Sequence, residues 1–124
     1  MFGSEKNVTT IYDDQFDINK AHFSGLYWGA SIGAFNYLAE QKGYSLVGSN
    51  TAGNNIFFVR NDVLGDIPVY TPQKAHVKSQ FKISRNQEGN LSFLENEDSL
   101  KLIEDMPLYE VDTGRTIKAK TLKN

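Results

Sequence analysis

The residues best suited to acid–base chemistry lie in the first quarter of the chain. His22 follows Asp13, Asp14 and Asp17, and an imidazole that titrates near neutrality can act as a general base beside carboxylates. The same pattern also fits a histidine that solvates or caps a loop. The second histidine, His76, is too remote in sequence to suggest a shared metal ion. We therefore predict no catalytic side chain and rank proton transfer by His22 last among the functional hypotheses.

Carboxylates form two clusters that could ligate a hard cation such as Ca²⁺. The clusters are Asp13, Asp14 and Asp17 near the start of the chain and Glu95, Glu97 and Asp98 in its second half. Neither cluster follows the spacing of a calcium-binding loop, so helix capping and surface charge explain both, and we predict no metal site. The sequence contains no cysteine, which excludes disulfides, thiolate nucleophiles and cysteine-based zinc sites.

Two further groups of side chains could contact a bound ligand. They are Tyr27 and Trp28, directly before Gly29, and three asparagines, Asn50, Asn54 and Asn55. Aromatic rings at the start of a helix can line a pocket, and the helix N-terminus offers amides to an anion. The rings can equally pack in the core, and asparagine is favoured in turns because it tolerates positive φ. The sequence leaves both interpretations open for these residues.

No cofactor-binding motif is recognisable. The chain lacks Gly-x-Gly-x-x-Gly and Gly-x-x-x-x-Gly-Lys-Ser/Thr, the glycine-rich patterns that cradle phosphates, and it lacks the Gly-x-Ser-x-Gly nucleophile elbow. The formal net charge of −2 gives no general attraction to nucleic acid or anionic lipid. No apolar run is long enough to cross a membrane, and no signal peptide is recognisable. We therefore expect a cytoplasmic chain without nucleic-acid or membrane partners.

The elements that must position these residues are clearest in the middle of the chain. Apolar residues recur every three or four positions over residues 29–42, which predicts an amphipathic helix. Residues 44–47 and 56–59 are predicted strands, and the second is expected to be buried on both faces because it is almost entirely apolar. On that expectation Phe57→Ala would cost about 3–5 kcal/mol as a core truncation.

Other elements are less sharply marked. Ser31 and Gly43 are the predicted caps of the central helix. The remaining predictions are a strand at 7–12, a loop at 13–28, a helix from Thr71-Pro72 to 77, a hairpin of 81–84 and 91–94, a helix at 98–105 and a strand at 108–111. We predict one small domain over residues 1–112 and a mobile, locally basic tail over 113–124.

Three stretches form a recognisable combination. They are Tyr27-Trp28-Gly29-Ala30-Ser31-Ile32, then Lys-Gly-Tyr-Ser-Leu-Val-Gly-Ser-Asn over 42–50, then Ala-Gly-Asn-Asn-Ile-Phe-Phe-Val-Arg-Asn-Asp over 52–62. Together they resemble the C-terminal region of bacterial S-adenosylmethionine-dependent methyltransferase-like proteins of the FkbM-like kind. The similarity is strongest over residues 2–63 and weaker over 78–112.

The resemblance implies a partial class I methyltransferase sheet of α/β (or α+β) class. Residues 29–42 would be its last helix, followed by the final antiparallel hairpin and a small C-terminal β/helix extension. The family's glycine-rich cofactor loop and acidic ribose ligand have no counterpart in this sequence, so no catalytic or cofactor-binding residue is carried over. S-adenosylmethionine would bind only if that half were supplied, and at most Tyr27, Trp28 and Asn50 would border the substrate side.

Two functional hypotheses follow from the resemblance. In the first, the chain is the C-terminal portion of a methyltransferase-like protein, incomplete as a catalyst alone, whose partner is an N-terminal methyltransferase half. It predicts an exposed apolar sheet edge or face where the missing strands belong. In the second, the chain is a stand-alone binding or assembly module without enzymatic activity, which predicts a homo-oligomer.

Overall fold

The computed structural model describes residues 1–122, which form an α+β structure with two small antiparallel sheets. The strands are β1 (Val8–Thr10), β2 (Tyr44–Ser49), β3 (Ile56–Arg60), β4 (Pro107–Glu110) and β5 (Thr116–Lys118). The α-helices are α1 (Ile18–Ala21), α2 (Ile32–Gln41), α3 (Pro72–Ala75) and α4 (Asn96–Leu102). Short 3-10 turns cover Asn61–Val63 and Ala119–Thr121.

The two sheets join different parts of the chain. The first has the strand order β1-β4-β5, so it pairs the beginning of the described chain with its end, and Val8 lies opposite Glu110. The second is the β2–β3 hairpin, in which Leu46 lies opposite Phe58 and an irregularity in the register follows Leu46. The predicted helix, strand, turn and strand are confirmed at this level of detail.

Helix α2 is fixed at both ends by the residues that the sequence predicts as caps. The Ser31 hydroxyl oxygen accepts the Ala34 amide at 3.1 Å. It also accepts the Val8 amide at 3.0 Å and donates to the Lys6 carbonyl at 2.7 Å, so the same side chain joins the helix to β1. Gly43 ends the helix with a φ of 82°, a conformation that glycine adopts without a steric cost.

The main core lies between the first sheet, α4 and the loop before α2. Val8, Ile103 and Leu108 are completely buried there. Leu26 and Tyr27 from the loop pack into the same cluster, which explains why a segment without regular periodicity is so rich in large apolar residues. The loop also contains the short helix α1, which the sequence pattern does not reveal.

A second, smaller core lies under the β2–β3 hairpin. Leu46 is completely buried against Ile32 and Ala75, and Phe58 packs against them in part. The prediction that β3 is buried on both faces is wrong, because Phe57 is 52% exposed. Side chains alternate along a strand, and only the face that carries Leu46 and Phe58 is covered by helices. Phe57→Ala is therefore not a core truncation, and its expected cost is below about 1 kcal/mol.

The end of the described chain is folded, contrary to the predicted mobile tail from residue 113. Strand β5 pairs with β4, and Leu122 is buried in the main core. Arg115 forms an ion pair of 3.1 Å with Glu110, a carboxylate that is itself buried. The contacts of β5 are with residues close in sequence, but the burial of Leu122 depends on α4 and β1, which no local pattern reports. Residues 123 and 124 of the predicted tail lie outside the described residues.

The predicted hairpin of 81–84 and 91–94 is only partly formed. A single β-bridge joins Arg85 and Leu91, and neither arm is a regular strand. The chain reversal is held by backbone hydrogen bonds of 2.9 Å from the Asn86 amide to the Asn90 carbonyl and from the Ser92 amide to the Ser84 carbonyl. The Ser84 and Ser92 hydroxyls share a further hydrogen bond of 2.7 Å. Ser84 is completely buried while Ile83 is 44% exposed, so these neighbouring side chains lie on opposite sides of the segment.

Candidate functional site

A cleft of about 510 Å³ opens between the start of α2, the asparagine-rich turn after β2 and the segment that leads to α4. Its apolar lining comes from four exposed side chains on these separate segments. They are Trp28, Phe35, Phe81 and Ile83, each 44 to 52% exposed. Leu26 and Phe2 are buried and form its floor. A concave surface of this size with aromatic walls is typical of ligand-binding sites.

Polar side chains also line the cleft. Asn54 and Ser79 lie on loops, and Asn96 and Ser99 lie in the first turn of α4. The Asn96 side-chain nitrogen donates to the Ser79 carbonyl at 3.5 Å. Among residues 1–122, the Asn96 side-chain oxygen and the Asn54 side-chain nitrogen have no hydrogen-bond partner. Both atoms can therefore serve a bound molecule.

The asparagine-rich turn is rigid because its side chains bind its own backbone. The Asn50 side-chain oxygen accepts the amides of Asn54 and Asn55 at 3.2 and 3.1 Å. The Asn50 side-chain nitrogen donates to the side-chain oxygen of Asn54 at 2.7 Å. Asn50 therefore builds the turn, as the alternative interpretation of the sequence holds, and in doing so it directs Asn54 into the cleft.

A smaller cavity of about 150 Å³ adjoins the cleft at the first residues of α2. Asn55 lines it together with Ser31 and His76, and Asn54 lines both cavities. Burial, followed by the nearby terminal amino group, lowers the pKa of His76 below its ordinary value, so the imidazole is neutral at pH 7. The two cavities together form one continuous surface across the N-terminal end of α2.

Of the predicted ligand contacts, Trp28, Asn54 and Asn55 line this surface and Tyr27 does not. Tyr27 is buried, and its hydroxyl donates to the Pro107 carbonyl at 2.5 Å and accepts the Ile11 amide at 3.2 Å. It is a core residue that ties the loop to β4. Whether the lining residues bind a ligand stays a prediction.

Several lining residues were missed by sequence reasoning, namely Phe35, Phe81, Ile83 and Asn96. In the sequence, Phe35 lies next to the apolar stripe of the predicted helix, and the alternation of Phe81 and Ile83 indicates a strand. Neither pattern reveals a cavity. The spacing of apolar residues shows which side chains share one face of an element, but it does not show whether that face contacts the core, a cavity or water.

His22 acts within the loop that carries Leu26 and Tyr27. Its Nδ1 accepts the Ser24 amide at 3.3 Å and lies 2.8 Å from the Ser24 hydroxyl. The same hydroxyl accepts the Leu26 amide at 3.2 Å. Because Nδ1 accepts the Ser24 amide, it carries no proton in this tautomer, and the hydroxyl donates to it. Burial lowers the pKa of His22 below its ordinary value of 6.5, which agrees with a neutral ring that accepts hydrogen bonds.

We expect acidification to destabilise the chain through His22. The unfolded chain takes up the proton first as the pH falls, because the folded state holds the pKa below 6.5. Stability is therefore unaffected by His22 above pH 6.5 and decreases as the pH falls through 6.5 towards the folded pKa. Urea unfolding of wild type and His22→Asn at about pH 7.5 and about pH 5.5 checks this. The asparagine keeps an acceptor but does not titrate, so an equal loss in both proteins would contradict the expectation.

The acidic clusters serve local structure. Asp17 caps α1 by accepting the Asn19 amide at 2.9 Å, and Asp13 accepts the Gln15 amide at 2.9 Å. Within residues 1–122 no group of three or more histidine, aspartate or glutamate side chains is arranged to hold a metal ion.

A second candidate site is the outer edge of β3. The Tyr70 amide donates to the Leu46 carbonyl at 2.9 Å, so that carbonyl points away from β3. Leu46 and its partner Phe58 are therefore a non-hydrogen-bonded pair, and the amide and carbonyl of Phe58 point away from β2. Because backbone groups point alternately to the two sides of a strand, the amides and carbonyls of Ile56 and Arg60 also point away from β2.

This outer edge is open in the part of the chain that the structure describes. The contacts of the β2 edge with Tyr70 and α3 have no counterpart on β3, since no further backbone hydrogen bond reaches Ile56–Arg60 there. The half-exposed Phe57 adds an apolar group on the face that no helix covers. Unpaired strand groups beside exposed apolar surface are a template for another strand.

Comparison with models of known protein families, with curated proteins and with solved structures finds no match. The resemblance to methyltransferase-like proteins therefore stays a prediction. In residues 1–122, no helix combines the length and the apolar character needed to cross a membrane.

Proposed function

We propose that the chain is the C-terminal portion of a methyltransferase-like protein and is not catalytically complete alone. In this proposal β2 and β3 are the last two strands of a partial class I methyltransferase sheet, and α2 is its last helix. The observation that carries the proposal is the open outer edge of β3, where Ile56, Phe58 and Arg60 each present an amide and a carbonyl that no group within residues 1–122 pairs. A preceding methyltransferase half, in the same polypeptide or in a partner chain, would add its strands at this edge.

The cleft does not fit S-adenosylmethionine by itself. A methyltransferase of this class holds the cofactor with a glycine-rich loop and an acidic side chain that binds the ribose hydroxyls. No carboxylate lines the cleft in residues 1–122, and the glycine pattern is absent from the sequence. The cofactor would therefore belong to the half that pairs with β3, and no reaction step is assigned to residues of this chain.

The alternative is a binding or assembly module without enzymatic activity. The same open edge favours it, because two antiparallel copies of β3 can pair with each other across a two-fold axis. Leu91 and Phe93, which are 45% and 62% exposed, are further apolar surface that such an assembly could cover.

Calorimetric titration with S-adenosylmethionine tests the proposal on the folded chain. We expect no binding, because the sequence has no recognisable glycine-rich cofactor loop and no carboxylate lines the cleft within residues 1–122. Micromolar binding, about −8 kcal/mol, would show an assembled cofactor site and contradict the proposal.

Sedimentation equilibrium then separates the two functions. A monomer supports the incomplete methyltransferase, whereas a stable dimer that dissociates on Arg60→Pro supports the assembly module. Arg60 is exposed and has a φ of −63°, which proline adopts, so the substitution removes the outward amide without removing a bond to β2 or a core side chain. For location, we propose the cytoplasm, supported by the cysteine-free sequence.

A further inference from the structure

We propose that the cleft binds an uncharged small molecule that carries an aromatic ring and at least one hydrogen-bonding group. This inference goes beyond the proposed function and does not depend on it. It rests on three features of the cleft, namely its aromatic walls, the lack of charge in its lining and the unused hydrogen-bonding atoms beside the rings.

Aromatic rings from separate segments of the chain line the cleft. Trp28 lies on the loop before α2 and Phe81 on the segment after α3, and both rings are about half exposed. A flat aromatic molecule bound in the cleft would cover part of these rings and of the Phe35 side chain, which removes apolar surface from water. The loop of Trp28 is anchored in the core by Tyr27, so the ring has a fixed support.

The lining contains no charged side chain in the part of the chain that the structure describes. A charged ligand would lose its hydration in this cleft without gaining an ionic partner, which is costly. Burial also lowers the pKa of the Met1 amino group below its ordinary value, which is the direction expected where a charge is disfavoured. An uncharged ligand therefore loses less hydration on entering the cleft than a charged ligand of the same shape.

Polar specificity comes from the atoms that the protein itself leaves unused. The Asn54 side-chain nitrogen is a donor, and the Asn96 side-chain oxygen is an acceptor. Asn54 is held in place through Asn50 and Asn96 through Ser79, so both groups are orientated before a ligand arrives. A ligand that meets them gains hydrogen bonds without ordering flexible side chains.

The experiment uses two fluorescent probes and the single tryptophan of the chain as the reporter. N-phenyl-1-naphthylamine is uncharged, and 8-anilinonaphthalene-1-sulfonate has the same rings with an added sulfonate. We expect the uncharged probe to quench Trp28 in a saturable way and the sulfonate to bind at least about tenfold more weakly. Equal affinity for both probes, or no saturable quenching, would overturn the proposal.

Two variants locate the binding. Phe81→Ser should raise the Kd of the uncharged probe at least about tenfold, while Phe57→Ser should leave it unchanged. Phe57 and Phe81 are both 52% exposed, so the pair controls for the loss of a surface aromatic ring. Ile83→Ser repeats the test at a second lining position if Phe81→Ser is poorly folded. Equal effects of the cleft variants and Phe57→Ser would show binding to exposed apolar surface in general and overturn the proposal.

Discussion

Leu46→Ala is expected to lower the free energy of unfolding by about 2–5 kcal/mol. Leu46 is completely buried in a small core, to which the described residues contribute two other buried side chains, Ile32 and Ala75. So small a cluster has few neighbours that can move into the space left by the missing methyl groups, and the cavity adds to the lost burial. Urea unfolding followed by circular dichroism measures the change.

Phe57→Ala is the matched control on the same hairpin. Phe57 is larger than Leu46 and is also removed down to the β-carbon, but it faces the uncovered side. We expect a cost below about 1 kcal/mol, as for a half-exposed strand residue. A cost as large as that of Leu46→Ala would show that the outward face is buried and would contradict the open hairpin.

Gly53→Ala is expected to destabilise the chain by about 2–4 kcal/mol. Gly53 has a φ of 73°, which is strained for alanine, and an added β-carbon would lie 2.6 Å from the Lys78 carbonyl oxygen and 2.7 Å from that of Val77. Both obstacles are backbone atoms, so the segment after α3 must move away from the turn. Asn54 and Ser79 adjoin these two segments and line the cleft, so the displacement should also change the shape of the cleft.

Gly25→Ala separates the two causes. Gly25 has a similar φ of 68°, but nothing lies within 4 Å of an added β-carbon. Only the strain of the left-handed conformation remains, about 1–2 kcal/mol. Equal losses of stability in the two variants would show that the turn does not press against residues 77–78.

Local chemistry made part of the fold predictable. Ser31 and Gly43 mark the ends of α2 because capping depends on the residue at the helix end and its immediate neighbours. The hairpin that follows is similarly encoded by apolar strands around an asparagine-rich turn. These features need no knowledge of the rest of the molecule.

Features that depend on distant contacts were not predictable. An apolar strand has the same sequence whether one or two of its faces are covered, so the exposure of Phe57 could not be read from 56–59. The burial of Leu122 requires α4 and β1, which are remote in sequence. The cleft is assembled from five stretches that are separated in sequence, namely 1–2, 26–35, 53–54, 79–83 and 96–99. Among its described lining residues, only Trp28 and Asn54 are candidates from the sequence alone.

The outer edge of β3 is open for strands that residues 1–122 do not supply. Amide hydrogen exchange, resolved by NMR in a dilute sample of the isolated chain, tests most directly whether this edge is open. The Val59 amide points into the hairpin and the Phe58 amide points out of it. We predict that Phe58 exchanges at least about tenfold faster than Val59. Equal protection of the two amides, independent of protein concentration, would show that the edge is already paired within the chain and would contradict the claim.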